Sequence, residues 1–230
     1  MANIDLDYDQ IKNEIARIKR SRRFYDWRSR GDLYYQLDNV LQAIRTNIVD
    51  SVQGVELMIK FFALDATCCN NCDDSDGGLT GIFNYEAVDV FKIFTDRYQD
   101  KAKLTDICYK LINNDAYGLH NGILNNLKDI LPPECISNLL ERDYQYSYIK
   151  LDLAFALRDA PLFETMLEGR RTTSDYSRLA KCYMDYGDLD KALSFANKMD
   201  QGHAEYNKSD LLEEIYIIKK DHEALNNLYC

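Results

Sequence analysis

Residues 180–193 read A-K-C-Y-M-D-Y-G-D-L-D-K-A-L, two apolar-periodic runs hinged on Gly187. Small residues at Ala180, Ala192 and Ala196 let two helices approach closely. Tyr183 sets an aromatic on the first of them, and a glycine at the junction accepts the left-handed backbone that a tight helix end demands. The unit predicts a helical hairpin. Two more segments lie on it without gaps around the turn: R-D-A-P-L-F-E from Arg158 and K-D-H-E-A-L from Lys220, against G-D-L-D-K-A-L from Gly187. Moving one unit along carries Ala180, Tyr183, Gly187, Ala192 and Ala196 onto Leu212, Ile215, Lys219, Ala224 and Leu228, which keeps the crossing alanine and loses the glycine. Repetition of this kind predicts stacked hairpins that bury one face on their neighbours and leave an extended surface with a concave side. The chain stops at Cys230, about two turns beyond its last hairpin turn, so further chain or a partner is expected to cover that end.

Helical spacing recurs toward the N-terminus. Ile4, Ile11, Ile15 and Ile18 predict a helix that runs into the basic segment K-R-S-R-R-F-Y-D-W-R-S-R-G and closes at Gly31. Leu33, Leu37, Val40, Leu41, Ile44 and Ile48 form a second stripe. Val52, Val55, Ile59 and Phe62, after Asp50 and Ser51, form a third, expected to pair with the second as a hairpin. The polar run C-C-N-N-C-D-D-S-D-G-G predicts a surface loop throughout. Periodicity resumes at Tyr85, Val88, Phe91 and Tyr98 and again at Leu104, Ile107, Cys108 and Leu111. After the turn N-N-D-A-Y-G-L-H-N-G come Ile123, Leu124, Leu127 and Ile130, and Pro132, Pro133 and Glu134 predict another helix start. The fold class is therefore all-α, stacked antiparallel helical hairpins, with an N-terminal helical region over 1–145 and a continuous repeat region over 146–230.

Ten glycines and three prolines leave long stretches of the 230 residues free of helix breakers, and 46% hydrophobic residues can supply a core. A net charge of -10 argues against a surface that grips nucleic acid or anionic lipid throughout. No apolar run reaches the roughly 18 residues of a membrane span, and M-A-N-I-D-L-D-Y-D-Q lacks the basic start and apolar core of a signal peptide. A cytoplasmic location is expected, with no membrane partner. Seven scattered cysteines are a poor disulfide framework, so reduced thiols are expected, with Cys108 and Cys182 as small core residues. No Ser-His-Asp, Cys-His, phosphate-loop or dinucleotide pattern is recognisable. The chain is accordingly read as not an enzyme and as needing no cofactor.

Three groups of residues carry candidate chemistry. Asp73, Asp74, Ser75 and Asp76 before Gly77 have the oxygen-rich character of a calcium loop. Setting Gly77 at the turn position, however, puts Cys72 at the first ligand and Phe83 where the bidentate acid belongs, and the frame on Gly78 ends at Asn84. Asp73, Asp74 and Asp76 are kept as candidate cation ligands beside the reading that they cap the following helix and pair with arginines. Cys69 and Cys72, with Cys68 adjacent, make half a zinc site, but His120, His203 and His222 sit in unrelated turns. The segment Lys12 to Arg30 sets eight basic side chains against two acidic ones in an otherwise acidic chain. There Arg20, Arg22, Arg23, Arg28 and Arg30 interleave with Phe24, Tyr25, Asp26 and Trp27. Arginines beside stacking rings suit single-stranded nucleic acid or phosphate. They equally suit an internal arrangement in which the arginines pair with the acidic loop and Trp27 anchors a turn. Seventeen tyrosines favour protein contacts.

R-R-F-Y-D-W-R at Arg22 to Arg28, the D-D-S-D-G loop, A-Y-G-L-H-N-G-I around Gly118 and L-D-L-A-F-A-L-R-D-A together resemble a bacterial domain-of-unknown-function family, number 6880. The alanine, tyrosine and glycine positions of residues 180–193 resemble a tetratricopeptide-like repeat. The resemblance implies a helical-repeat fold with no established activity. Some members of that family carry a further zinc-finger module of the SWIM kind, and this chain lacks it. Its cysteines beside the aspartate loop and its acidic balance depart from the family pattern and weaken transfer of a nucleic-acid role. The functional expectation is an interaction module for a protein partner. The alternatives are a nucleic-acid or nucleotide-binding module on residues 17–30 and a cation-binding protein on residues 73–76.

Overall fold

The computed structural model describes residues 6–167, 169, 171–200, 204 and 206–228, all helix and connection apart from one isolated bridge between Tyr25 and Cys72. Ile4, His203 and Cys230 lie outside the described residues. The chain divides into two compact units, Met1–Gln145 and Tyr146–Cys230.

In the first unit α1 (Tyr8–Arg20) opens on a capping box. Asp7 accepts from the Gln10 amide at 2.9 Å and the Gln10 side chain accepts from the Asp7 amide at 2.8 Å. Its last turn carries Arg17, Lys19 and Arg20, cations that suit the negative end of the helix dipole. Gly31 does not close this helix. Residues 21–29 link α1 to α2 (Arg30–Asn47), and Gly31 lies in the first turn of α2. Leu33, Leu37, Val40, Leu41 and Ile44 are buried as their spacing predicts.

Helix α3 (Ser51–Phe62) starts where Asp50 accepts from the Gln53 amide at 2.8 Å. Its buried face differs from the predicted stripe. Val52 is 54% exposed, while Gly54, Val55, Leu57, Met58, Phe61 and Phe62 are buried. The cause is Gly54: a Cβ there would lie 2.1 Å from the Phe94 ring, so its absence lets that face press against a later helix. Nor do α2 and α3 pair chiefly with one another. Each packs on α1 and on α6 (Ala87–Arg97).

Between α3 and α6 lie α4 (Asp65–Asn71), α5 (Gly78–Gly81) and a π-helical turn over Ile82–Glu86. The loop expected over the whole cysteine–aspartate run is thus half helix, and Cys68 and Cys72 are buried. Apolar neighbours outweigh the polar look of the string, because a cysteine packs as a small hydrophobe. Beyond α6 follow α7 (Lys101–Asn113), α8 (Asn121–Asn125), α9 (Leu127–Ile130) and α10 (Pro133–Leu140), the last with proline in its first turn as expected.

The second unit holds α11 (Ser147–Ala156), α12 (Ala160–Met166), α13 (Thr173–Tyr186), α14 (Leu189–Asn197), α15 (Lys208–Lys219) and α16 (His222–Leu228). Ala180, Tyr183, Ala192 and Ala196 are buried where α13 crosses α14. The three aligned turns share a conformation: Arg158, Gly187 and Lys220 have φ of 57°, 97° and 57°. Asp159, Asp188 and Asp221 then each cap the next helix, accepting from Leu162, Lys191 and Ala224 amides at 3.1, 3.1 and 3.0 Å. The turn alignment that sets Lys220 on Gly187 holds, and the alignment that set Lys219 there is corrected by one residue. Leu212 and Ile215 are buried, as at Ala180 and Tyr183, yet the left-handed residue is Lys220 and not Lys219. α15 therefore carries one residue more before its turn than α13 does.

Candidate binding site

Tyr25 ties the basic segment to the acidic loop. Its amide donates to the Asn71 carbonyl at 2.7 Å and its carbonyl accepts from the Asp73 amide at 2.9 Å. The ring is buried beneath the Arg23 guanidinium, 4.6 Å from the ring centroid, and Arg23 also pairs with Asp32 at 2.8 Å. The anchor expected at Trp27 is therefore Tyr25. Trp27 is 61% exposed, and the Arg28 guanidinium lies 4.7 Å from its ring centre. Asp26 closes the turn that follows, because its carboxylate accepts from the Ser29 hydroxyl at 2.7 Å and from the Ser29 and Arg28 amides at 2.9 and 3.1 Å. The Ser29 hydrogen bonds hold the Asp26 carboxyl below the ordinary carboxylate range.

The acidic loop is a clasp on the start of α2. Arg30 pairs with Asp76 at 2.8 Å and donates to the Ser75 hydroxyl at 2.9 Å. The Tyr34 hydroxyl lies 2.8 Å from Asp74 Oδ1 and 2.9 Å from Asp76 Oδ1, one proton shared between two carboxylates. Asp73 and Asp74 accept from the Ser75 and Leu79 amides at 3.1 and 2.8 Å. The Tyr34 hydroxyl first, then the Gly78 amide and Arg30, lower the Asp76 pKa, whereas burial and these carboxylates raise that of Tyr34. Gly77 turns the chain at φ 73°, and a Cβ on Gly78 would sit 2.3 Å from the Tyr34 ring. Asp73 Oδ1, Asp74 Oδ1 and both carboxylate oxygens of Asp76 are thus engaged by amides, a phenol and one guanidinium.

Of the sequence-predicted arginines, Arg30 alone reaches the aspartates. Arg20 donates to the Ala16 carbonyl at 3.1 Å, and Arg22 has no ion pair among the described residues. Lys19, Arg20 and Arg22 face Ala66, Thr67 and Asn70 of α4 across an open cleft of about 580 Å³. Phe24, 62% exposed, and Trp27 stand outward on the same strap.

Cys68, Cys69 and Cys72 follow burial. It pushes the Cys68 thiol up to about 12 and the Cys69 thiol to about 11, helped by nearby thiols and by Asp65. The turn before α8 holds residues that sequence reading did not connect. Asp115 accepts from the Leu119 and His120 amides at 2.9 and 2.8 Å, and Gly118 has φ of 72°. The Gly122 amide donates to Asn84 Oδ1 at 2.8 Å. Asp65, Asp115 and His120, all buried, come together there. Their separation along the chain and the lack of any spacing motif hid them.

The described residues define an all-α protein of packed antiparallel helix pairs, with a basic aromatic strap clasped to an acidic loop. The chain belongs to DUF6880, a family of unknown function, whose pattern matches residues 7–152. The match takes in the strap, the clasp and the turn before α8 and ends within α11, so the hairpins of residues 158–228 lie outside it. No curated protein and no solved structure matches the chain. No helix among the described residues is long and apolar enough to cross a membrane.

Proposed function

We propose that the chain is a binding module without chemistry of its own, which docks an acidic segment of a protein partner on the strap 22–28. The observation that supports this is the exposure of Phe24 and Trp27, beside Arg22 and Arg28, on a backbone held by the Tyr25 bridge and the Asp26–Ser29 turn. Aromatic and arginine side chains dominate the energetics of protein contacts, and a support that is already ordered removes part of the entropy cost of docking. Two large rings exposed three residues apart on one ordered strap, flanked by arginines, have the composition of a contact surface. The packed antiparallel helix pairs of the second unit fit the same reading, since arrays of helical hairpins serve as contact surfaces.

The second reading, single-stranded nucleic acid or phosphate on the same rings and arginines, has the same residues in its favour and the net charge of -10 against it. Trp27 is the single tryptophan, so its emission reports on the strap directly. Affinity capture with the intact chain is expected to recover a partner that shifts Trp27 emission to the blue. That partner is lost when Phe24 and Trp27 become serine and Arg22 and Arg28 become glutamate. Capture indifferent to those four changes removes the reading. Emission quenched by an oligonucleotide, with affinity falling steeply as salt rises, assigns the strap to nucleic acid instead.

A further inference from the structure

Asp65, in the first turn of α4, meets Asp115 and His120 of the turn that precedes α8. Their ligand atoms lie within 4.8 Å of one another, and all three residues are buried. The imidazole is surrounded by acceptors. Nδ1 lies 2.9 Å from the Leu111 carbonyl oxygen, and Nε2 lies 3.3 Å from the Phe62 carbonyl oxygen and 3.6 Å from Asp65 Oδ2. A neutral imidazole has one N–H. The shorter contact assigns it to Nδ1, which leaves the Nε2 lone pair aimed at two oxygens. The carboxylates deepen the imbalance. Asp65 accepts from the Ala66 amide at 2.6 Å and Asp115 from two amides, but neither meets a lysine or arginine among the described ion pairs. Two carboxylates and an imidazole gathered in the interior without a lysine or arginine beside them among the described residues are the arrangement that a buried divalent cation completes, taking up the carboxylate oxygens and the Nε2 lone pair.

We propose that Asp65, Asp115 and His120 hold a divalent first-row transition ion through His120 Nε2 and one oxygen of each carboxylate. The geometry suits it. Two bonds of about 2.1 Å at a tetrahedral angle place their ligand atoms about 3.4 Å apart, close to the 3.6 Å between Nε2 and Asp65 Oδ2. The Nδ1–H bond to the Leu111 carbonyl is the outer contact that orients a ligating histidine. One nitrogen and two carboxylates favour zinc or manganese, whereas calcium and magnesium prefer shells of oxygen alone. An ion in this place braces α4, whose Asn71 carbonyl holds the strap at Tyr25.

The test uses the full chain stripped by a chelator. Mn2+ binding is followed by electron paramagnetic resonance, Zn2+ by calorimetry, and Mg2+ serves as the contrast. One ion per chain is expected for Mn2+ and Zn2+. Asp65→Asn should weaken both at least tenfold with unchanged far-ultraviolet circular dichroism, while a Cys69→Ser, Cys72→Ser chain binds as before. Nitrogen-15 spectra of the wild-type chain should show Nε2 of His120 shifting on addition of Zn2+ while Nδ1 keeps its proton, a readout that stands even where the Asp65 variant does not fold. The proposal is overturned by binding that survives Asp65→Asn, by binding that follows the cysteines, by no stoichiometric binding, or by a doubly protonated His120 that persists in excess Zn2+.

Discussion

Single residues show why the turn strings read as they do. In N-N-D-A-Y-G-L-H-N-G, Asp115 gathers two amides, Gly118 takes a left-handed backbone, and Gly122 lies so close to Asn84 that an added Cβ would stand 2.0 Å from its carbonyl oxygen. A backbone oxygen cannot yield as a side chain can. Gly122→Ala is therefore expected to cost about 2 kcal/mol or more, read as a lower midpoint in urea. Gly31→Ala, with nothing within 4 Å, should hold or slightly raise stability. The opposite change applies where the wrong residue sits in a left-handed turn. Lys220 has φ of 57° in the place that Gly187 fills one hairpin earlier, so Lys220→Gly should stabilise by about 1 kcal/mol, seen as a higher thermal midpoint. The positions of these turns were legible from the three aligned segments, because a helix end is a local event. The extra residue of α15 between Ile215 and that turn was not, since nothing in the helix sequence marks it.

At the scale of elements, the clasp between the start of α2 and the acidic loop depends on Tyr34 more than on the arginines. Its hydroxyl stands between Asp74 and Asp76 and is the largest influence lowering the Asp76 pKa. A carboxyl whose folded pKa is depressed contributes stability above its unfolded pKa, and that contribution fades as pH falls through the folded value. Tyr34→Phe should lower the neutral-pH unfolding midpoint by a few degrees and lessen the further loss below the ordinary Asp range, checked by thermal melts between neutral and strongly acid pH. That basic and acidic segments carry the local charge was readable from composition along the chain. Pairing of an arginine with the acidic loop was also expected, and Arg30 takes Asp76. That Arg23 takes Asp32 and that the anchoring ring is Tyr25, not Trp27, was not readable. Which of the rings Phe24, Tyr25 and Trp27 turns inward depends on where α4 places the Asn71 carbonyl, and the string R-R-F-Y-D-W-R holds no trace of that.

At the scale of the molecule, each unit has a core of its own. Phe163, Leu179, Tyr183, Phe195 and Ile215 belong to a cluster confined to the second unit. A chain of residues 1–145 is thus expected to keep its helical circular dichroism and to unfold in one cooperative denaturant transition. A gradual loss of signal would show that its core is incomplete. By itself the sequence determined the all-α class, most of the apolar stripes, several helix starts and the segments where charge collects, since periodicity, caps and breakers act within a few residues of one another. Only the tertiary structure decided which face of α3 is buried, that cysteines of a polar run go inside, and that Asp65, Asp115 and His120 meet. Each of these is a distance between parts of the chain that packing alone brings together, and no local preference encodes it.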